Sequence, residues 1–98
     1  MRMNSRQRAY LSGLANTIEP IFQVGKASLT PELIGAVDAA IEKRELIKVS
    51  VLKNCADDPK EIASVLAERT RSEVVKVIGK KMIFYRAAKK NPKIRLPE

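Results

Sequence analysis

Apolar residues recur along this chain with two different periods, and the alternation between them lays out the fold. Over residues 4–17, Tyr10, Leu11, Leu14 and Ile18 fall near helical spacing, with Asn4 or Ser5 as cap and Glu19-Pro20 as the end. Gly13 weakens this helix, by about 1 kcal/mol relative to alanine. Ile21 to Val24 reads as a short strand. Thr30 to about Arg44 returns to the helical period, with Leu33, Ile34, Val37, Ala40 and Ile41 in one stripe and Asp38, Glu42 and Lys43 on the wet side. Gly35 inside this pattern suggests close packing. Leu46 to Leu52 alternates with period two, placing Ile47, Val49 and Val51 on one face and Lys48 and Ser50 on the other.

Lys53 to Asp58 is a loop. Asp58 and Pro59 form a helix start, followed by Ile62, Val65, Leu66 and Arg69, and the pattern fades by Thr70. Val74 to Ile78 and Lys81 to Arg86, joined at Gly79-Lys80, carry a hairpin signal. In the second run Met82 and Phe84 share one face, Ile83 and Tyr85 the other. Residues 87–98 contain Pro92 and Pro97 and read as an extended basic tail, with Ile94 and Leu96 able to tether it to an apolar patch. The order αβαβαββ predicts one α/β domain over residues 1–98, a two-layer sandwich on a four-stranded mixed sheet. Right-handed crossovers imply parallel pairing of the first three strands, with the second and third helices on one face. The last strand turns back antiparallel.

Charge narrows the function. The net charge is +8. Residues 1–68 hold nine basic and nine acidic side chains; residues 69–98 hold ten basic ones against Glu73 and Glu98. The whole excess lies in the last third, a bias that a polyanion-binding face needs and a merely solvated face does not. Arg2, Arg6 and Arg8 add a positive cluster at the N-terminus. No apolar run is long enough to cross a bilayer, and none follows the basic start, so neither membrane contact nor a signal peptide is expected. With Cys55 the lone cysteine, no internal disulfide forms, which suits the cytoplasm.

Catalytic chemistry is poorly supplied. The chain has no histidine, which removes the Cys–His nucleophile, the commonest general base and the commonest metal ligand. Cys55 reads as a semi-buried loop residue and Asp57-Asp58 as a helix cap with its neighbour. No enzyme, cofactor or metal site is expected. Binding chemistry is better represented. The stretch from Val24 to Glu32 reads as a strand end, a glycine turn carrying Lys26, and a helix start with Thr30 as cap, a geometry that can present backbone N–H groups to phosphate. Lys80, Lys81, Arg86, Lys89, Lys90, Lys93 and Arg95 can neutralise phosphates. Tyr85, beside Arg86, either stacks a base or covers core under the tail. Aromatic residues make up 4% of the chain, so recognition through backbone and shape is expected rather than a platform of stacked bases.

Several segments carry a resemblance to a known family. They are Gln7 to Leu14, Pro20 to Gly25 with Leu29-Thr30, Glu45 to Val49, Val77 to Lys80, Phe84 to Arg86, and Lys93 to Pro97. Together and in this order they resemble the CRM domain (chloroplast RNA splicing and ribosome maturation), in its stand-alone bacterial YhbY-like form. The resemblance implies a fold similar to the C-terminal domain of translation initiation factor 3. It also implies RNA as partner and, for bacterial members, association with precursors of the large ribosomal subunit. The family carries a Gly-x-x-Gly loop after the first strand, which falls here on Gly25, Lys26, Ala27 and Ser28. Serine replaces the last glycine but can still offer its N–H and hydroxyl.

The expectation is a monomeric cytoplasmic RNA-binding protein of ribosome assembly. Lys26 and the loop would hold one stretch of phosphate. Lys80, Lys81, Arg86 and the tail lysines would hold another, and Arg6 and Arg8 would extend the track. A basic DNA-coating protein and a ribosome-bound protein–protein adaptor are the rival readings.

Overall fold

A computed structural model describes residues 3–98; Arg2 of the N-terminal cluster lies outside them. Helix α1 (Ser5–Ala15) starts at Asn4, whose side chain accepts from the Gln7 amide while the Gln7 side chain accepts from the Asn4 amide, a reciprocal capping box. Its buried stripe is Leu11 and Ala15, continued by the partly buried Ile18, while Tyr10 and Leu14 face solvent. Strand β1 (Phe22–Val24) leads through the glycine loop into α2 (Pro31–Arg44), capped by Thr30. Strand β2 (Leu46–Val51) precedes α3 (Pro59–Thr70), capped by Asp58. Strands β3 (Glu73–Ile78) and β4 (Lys81–Tyr85) form the hairpin, and Gly79, with φ 57°, occupies the first of the two turn positions.

The αβαβαββ order and the four-stranded mixed sheet are as expected. The pairing is not: the sheet order is β1-β2-β4-β3. Only β1 and β2 pair in parallel, and β4 lies antiparallel between β2 and β3. The physical reason is burial. Met82, Ile83, Phe84 and Tyr85 are all buried, which requires cover on both faces and a central position. Strand β3 exposes Lys76 and Ile78 and carries a register shift between Val74 and Lys76, properties of an edge. The α3 connection therefore passes over β4 to reach the far edge.

Helices α2 and α3 cover one face, as expected. Val37, Ile41, Ile62 and Leu66 meet Val24, Ile47, Val49, Met82 and Phe84 there. Cys55 is buried against this core. The other face carries a third, partial layer. Leu46, Val75, Ile83 and Tyr85 are covered by Met3, Leu11 and Ala15, with Ile94 and Leu96 of the tail beside them. Val75, the extra residue of the bulge, points into this second core, and Arg8 of α1 donates to the carbonyls of Val74 and Val75. Gly35 is not a packing contact: a Cβ there would meet nothing within 4 Å.

The tail wraps around one buried carboxylate. Glu45, 1% exposed, follows α2. Its Oε1 accepts from the amides of Lys93 (2.8 Å) and Ile94 (2.9 Å), and its Oε2 from Ala88 (2.8 Å). Burial alone would raise this carboxyl's pKa; the three amides, helped by the Lys93 ammonium, outweigh it and hold the pKa below the ordinary glutamate value. Beyond Glu45 the tail lays Ile94 and Leu96 on the second core. The Pro97 carbonyl accepts from Gln7 and the Glu98 backbone carbonyl from Arg6. It is a strap rather than a free basic extension.

Candidate nucleic-acid interface

The glycine loop is a closed turn. The Val24 carbonyl accepts from Leu52 (2.8 Å), fixing the loop's first end to β2. The Ser28 amide donates to the Gly25 carbonyl at 2.9 Å, leaving Lys26 and Ala27 exposed at the tip. Ser28 takes φ 57°, the left-handed conformation for which glycine is the usual residue, and its hydroxyl donates to Asp57. Neither serine group expected to contact a ligand is therefore free, because the turn takes the N–H and Asp57 takes the hydroxyl. Thr30 is likewise committed as a cap, its hydroxyl accepting from the Leu33 amide at 3.1 Å. The groups left to act are the tip backbone, the Lys26 ammonium and the start of α2, where the helix dipole is positive.

The topology gathers other cations at this end. Lys81 pairs with Ser50, and the Lys80 carbonyl accepts from Val51 at 2.7 Å. Val51 is also the register partner of Val24, the residue before the loop. Lys26, Lys80 and Lys81 thus lie at the same end of the sheet and are exposed, as is Lys53, which follows β2 there. None forms an ion pair among the described residues. Sequence reasoning missed Lys53 because a lone lysine in a loop carries no pattern. The parallel β1–β2 pair, whose strand ends must coincide, was the available signal.

The expected grouping of Lys80 and Lys81 with Arg86 and the tail is corrected by the direction of β4. That strand carries Lys81 at the loop end and Tyr85, next to Arg86, at the other. Arg86 is an internal clamp. Its Nη1 donates to Asp38 Oδ1 (2.7 Å) and to the Thr70 carbonyl, and its Nη2 to Glu42 Oε1 (3.1 Å) and the Asp38 carbonyl (3.3 Å). It ties the C-terminal halves of α2 and α3 to the end of β4 and has little left for a ligand. Lys89 and Lys90 are exposed at this second end, where Glu42 accepts the Lys89 amide at 2.9 Å.

Of the two readings of Tyr85, base stacking falls and core cover under the tail stands. Tyr85 is 3% exposed and packs in the second core with Ile94 and Leu96, so no base can stack on it. Burial first, and the Glu45 carboxylate second, push its phenol pKa up. Arg6 and Arg8 lie on the α1 side, holding the carbonyls of Glu98, Val74 and Val75. They do not continue a track from the loop.

Among the described residues no group of three or more His, Cys, Asp or Glu side chains could hold a metal ion, and no helix is long and apolar enough to cross a membrane.

Residues 3–86 match the family model described as the CRS1 / YhbY (CRM) domain. The Bacillus subtilis protein named "Probable RNA-binding protein YqeI" is 40% identical over 95 residues, covering 97% of this chain and 99% of its own. A Haemophilus influenzae protein named "RNA-binding protein" is 28% identical over 95 residues, with 97% and 95% covered. The solution structure of the hypothetical protein SAV1595 from Staphylococcus aureus superimposes with a TM-score of 0.83 at 48% identity, over 98% of this chain and all of that one.

Proposed function

The chain belongs to the CRS1 / YhbY (CRM) domain family, and from that premise we propose that it is an RNA-binding protein acting through the loop end of its sheet. The observation that carries this reading is the convergence of Lys26, Lys53, Lys80 and Lys81, drawn from three separate connections, around an exposed turn. Cations without carboxylate partners keep their full attraction for phosphate, and each phosphate they neutralise releases counterions. Gly25 supports the same reading. A Cβ there would meet only Asn54 Oδ1 and Leu52 Cδ1, both at an ordinary 3.6 Å, so the fold itself does not need the glycine. A bare backbone at that point admits close approach from outside.

The full reading is a monomeric, cytoplasmic, non-catalytic protein that binds ribosomal RNA in precursors of the large subunit by backbone and shape. The names carried by two relatives favour RNA over duplex DNA as the polyanion. Density-gradient sedimentation of a cell lysate at moderate salt, with each fraction probed for this protein, tests it. Co-migration with immature large-subunit particles and absence from mature ribosomes is the expected result. Protein remaining at the top at low salt would overturn the assembly role. Competition between structured RNA and duplex DNA of the same sequence tests the partner, and a preference for DNA would overturn RNA.

A further inference from the structure

The second end of the sheet carries an open cleft of about 550 Å³ between the C-terminal ends of α2 and α3 and the tail. Its floor is Arg86 with the two carboxylates that hold it, Asp38 and Glu42. Its walls are Arg69 and Arg71 on one side and Lys89 and Lys90 on the other. We infer that this cleft is a second phosphate-binding site, separate from the loop end, which takes the phosphodiester backbone of another stretch of RNA. The inference rests on the RNA-binding reading above and deepens it.

Three observations carry it. First, the carboxylates in the cleft are already engaged. Arg86 takes Asp38 and one oxygen of Glu42, and the Lys89 amide takes the other. The four wall cations form no ion pair among the described residues, so the positive charge of the walls is uncompensated. Second, the walls are preorganised. Glu42 fixes the Lys89 amide, and Glu45 fixes Ala88 before it and Lys93 after it, so the segment bearing both lysines is held on each side. Third, Arg71 ends α3 with φ 56°, a left-handed position where glycine is the common and less strained residue. Cations near a helix C-terminus are favourable in their own right, which accounts for Arg69. That effect does not bring two lysines from the far end of the chain to the same cleft. The site is distinct from the loop because β2 separates them: its six residues make five steps of ~3.3 Å, about 17 Å from end to end.

The test is an amide-resolved NMR titration of the full chain with oligouridylate of about four nucleotides, near the lower end of single-strand site sizes. Two groups of amides should shift, one around Lys26–Leu29 and one spanning Arg69–Arg71 and Lys89–Lys90. In a variant carrying Arg69→Gln, Arg71→Asn, Lys89→Gln and Lys90→Gln, the second group should fall silent while the first is retained. All four side chains are exposed, and asparagine tolerates the left-handed position, so the variant keeps its fold. With a single-stranded RNA long enough to reach both ends, the salt slope of binding should drop by about 3, at ~0.7 for each phosphate no longer neutralised. Shifts confined to the loop, or cleft shifts that survive the four substitutions, would overturn the second site and leave the RNA-binding reading standing. No shift at either end would overturn both.

Discussion

The two ends of the sheet are both basic, yet their charges do different work. At the loop end, Lys26, Lys53 and Lys80 extend from turns and Lys81 from the first position of β4, and none makes an ion pair among the described residues. At the tail end, carboxylates organise the chain. Glu45 holds three amides, and Glu42 and Asp38 hold Arg86. A cation count treats the ends alike. Hydrogen-bond partners separate Arg86 from the unpaired cations of either end, because a guanidinium with four donors engaged inside the protein cannot also grip phosphate. The loop end should therefore tolerate charge changes in the fold and register them in binding, whereas Glu45 and Arg86 should do the reverse.

The sharpest challenge to this contrast is Glu45→Ala. It leaves three amides without their acceptor and frees the strap, and hydrogen bonds to a charged group are worth about 1.5–3 kcal/mol each before relaxation. We expect a loss of at least about 3 kcal/mol in urea unfolding, and a loss below about 1 kcal/mol would mean that the tail is not anchored there. The same carboxyl sets a pH dependence. Its pKa is lowered in the folded state, so its contribution is present above the unfolded value and is lost as pH falls through the folded one. Stability should decline below about pH 4.5, and the decline should be shallower in Glu45→Gln.

Next in size is Arg86→Met. Removing the clamp leaves Asp38 and Glu42 close together without their cation, and about 1–3 kcal/mol should be lost. RNA binding at the loop end should be unaffected, as read by the amide shifts of Lys26–Leu29 on titration. Weakened shifts there with unchanged stability would reverse the roles assigned to the two ends.

Much of the fold was legible in the sequence because its signals are local. Thr30-Pro31 and Asp58-Pro59 start α2 and α3, and the alternation in β2 and β4 sorted Ile47 from Lys48 and Phe84 from Tyr85 correctly. Strand order was harder, since it depends on which strand is covered twice. The unbroken run Met82–Tyr85 held that information, but only once α1 and the tail are known to cover the second face. The candidate site was legible in part. Lys26, Lys80 and Lys81 are exposed as expected, while the partners that retire Arg86 lie 44 and 48 residues away in sequence. Tyr85 was undecidable locally because its cover comes from Ile94 and Leu96.

The smallest effect belongs to the loop itself. Ser28→Gly relieves a left-handed side chain, worth about 1–2 kcal/mol, and loses the hydrogen bond to Asp57, worth about 1 kcal/mol. Stability should change by less than about 1 kcal/mol, and thermal unfolding reads it. A larger loss would make the serine–aspartate bond the main support of the turn.

The proposed RNA site at the loop end is tested most directly by the salt dependence of RNA affinity for Lys26→Gln/Lys80→Gln/Lys81→Gln beside the unaltered protein, with unfolding measured on both. The unfolding midpoint should be unchanged and the log–log salt slope shallower by about 2–3, at roughly 0.7–0.9 for each phosphate no longer neutralised. An unchanged slope with an intact fold would contradict the loop-end site.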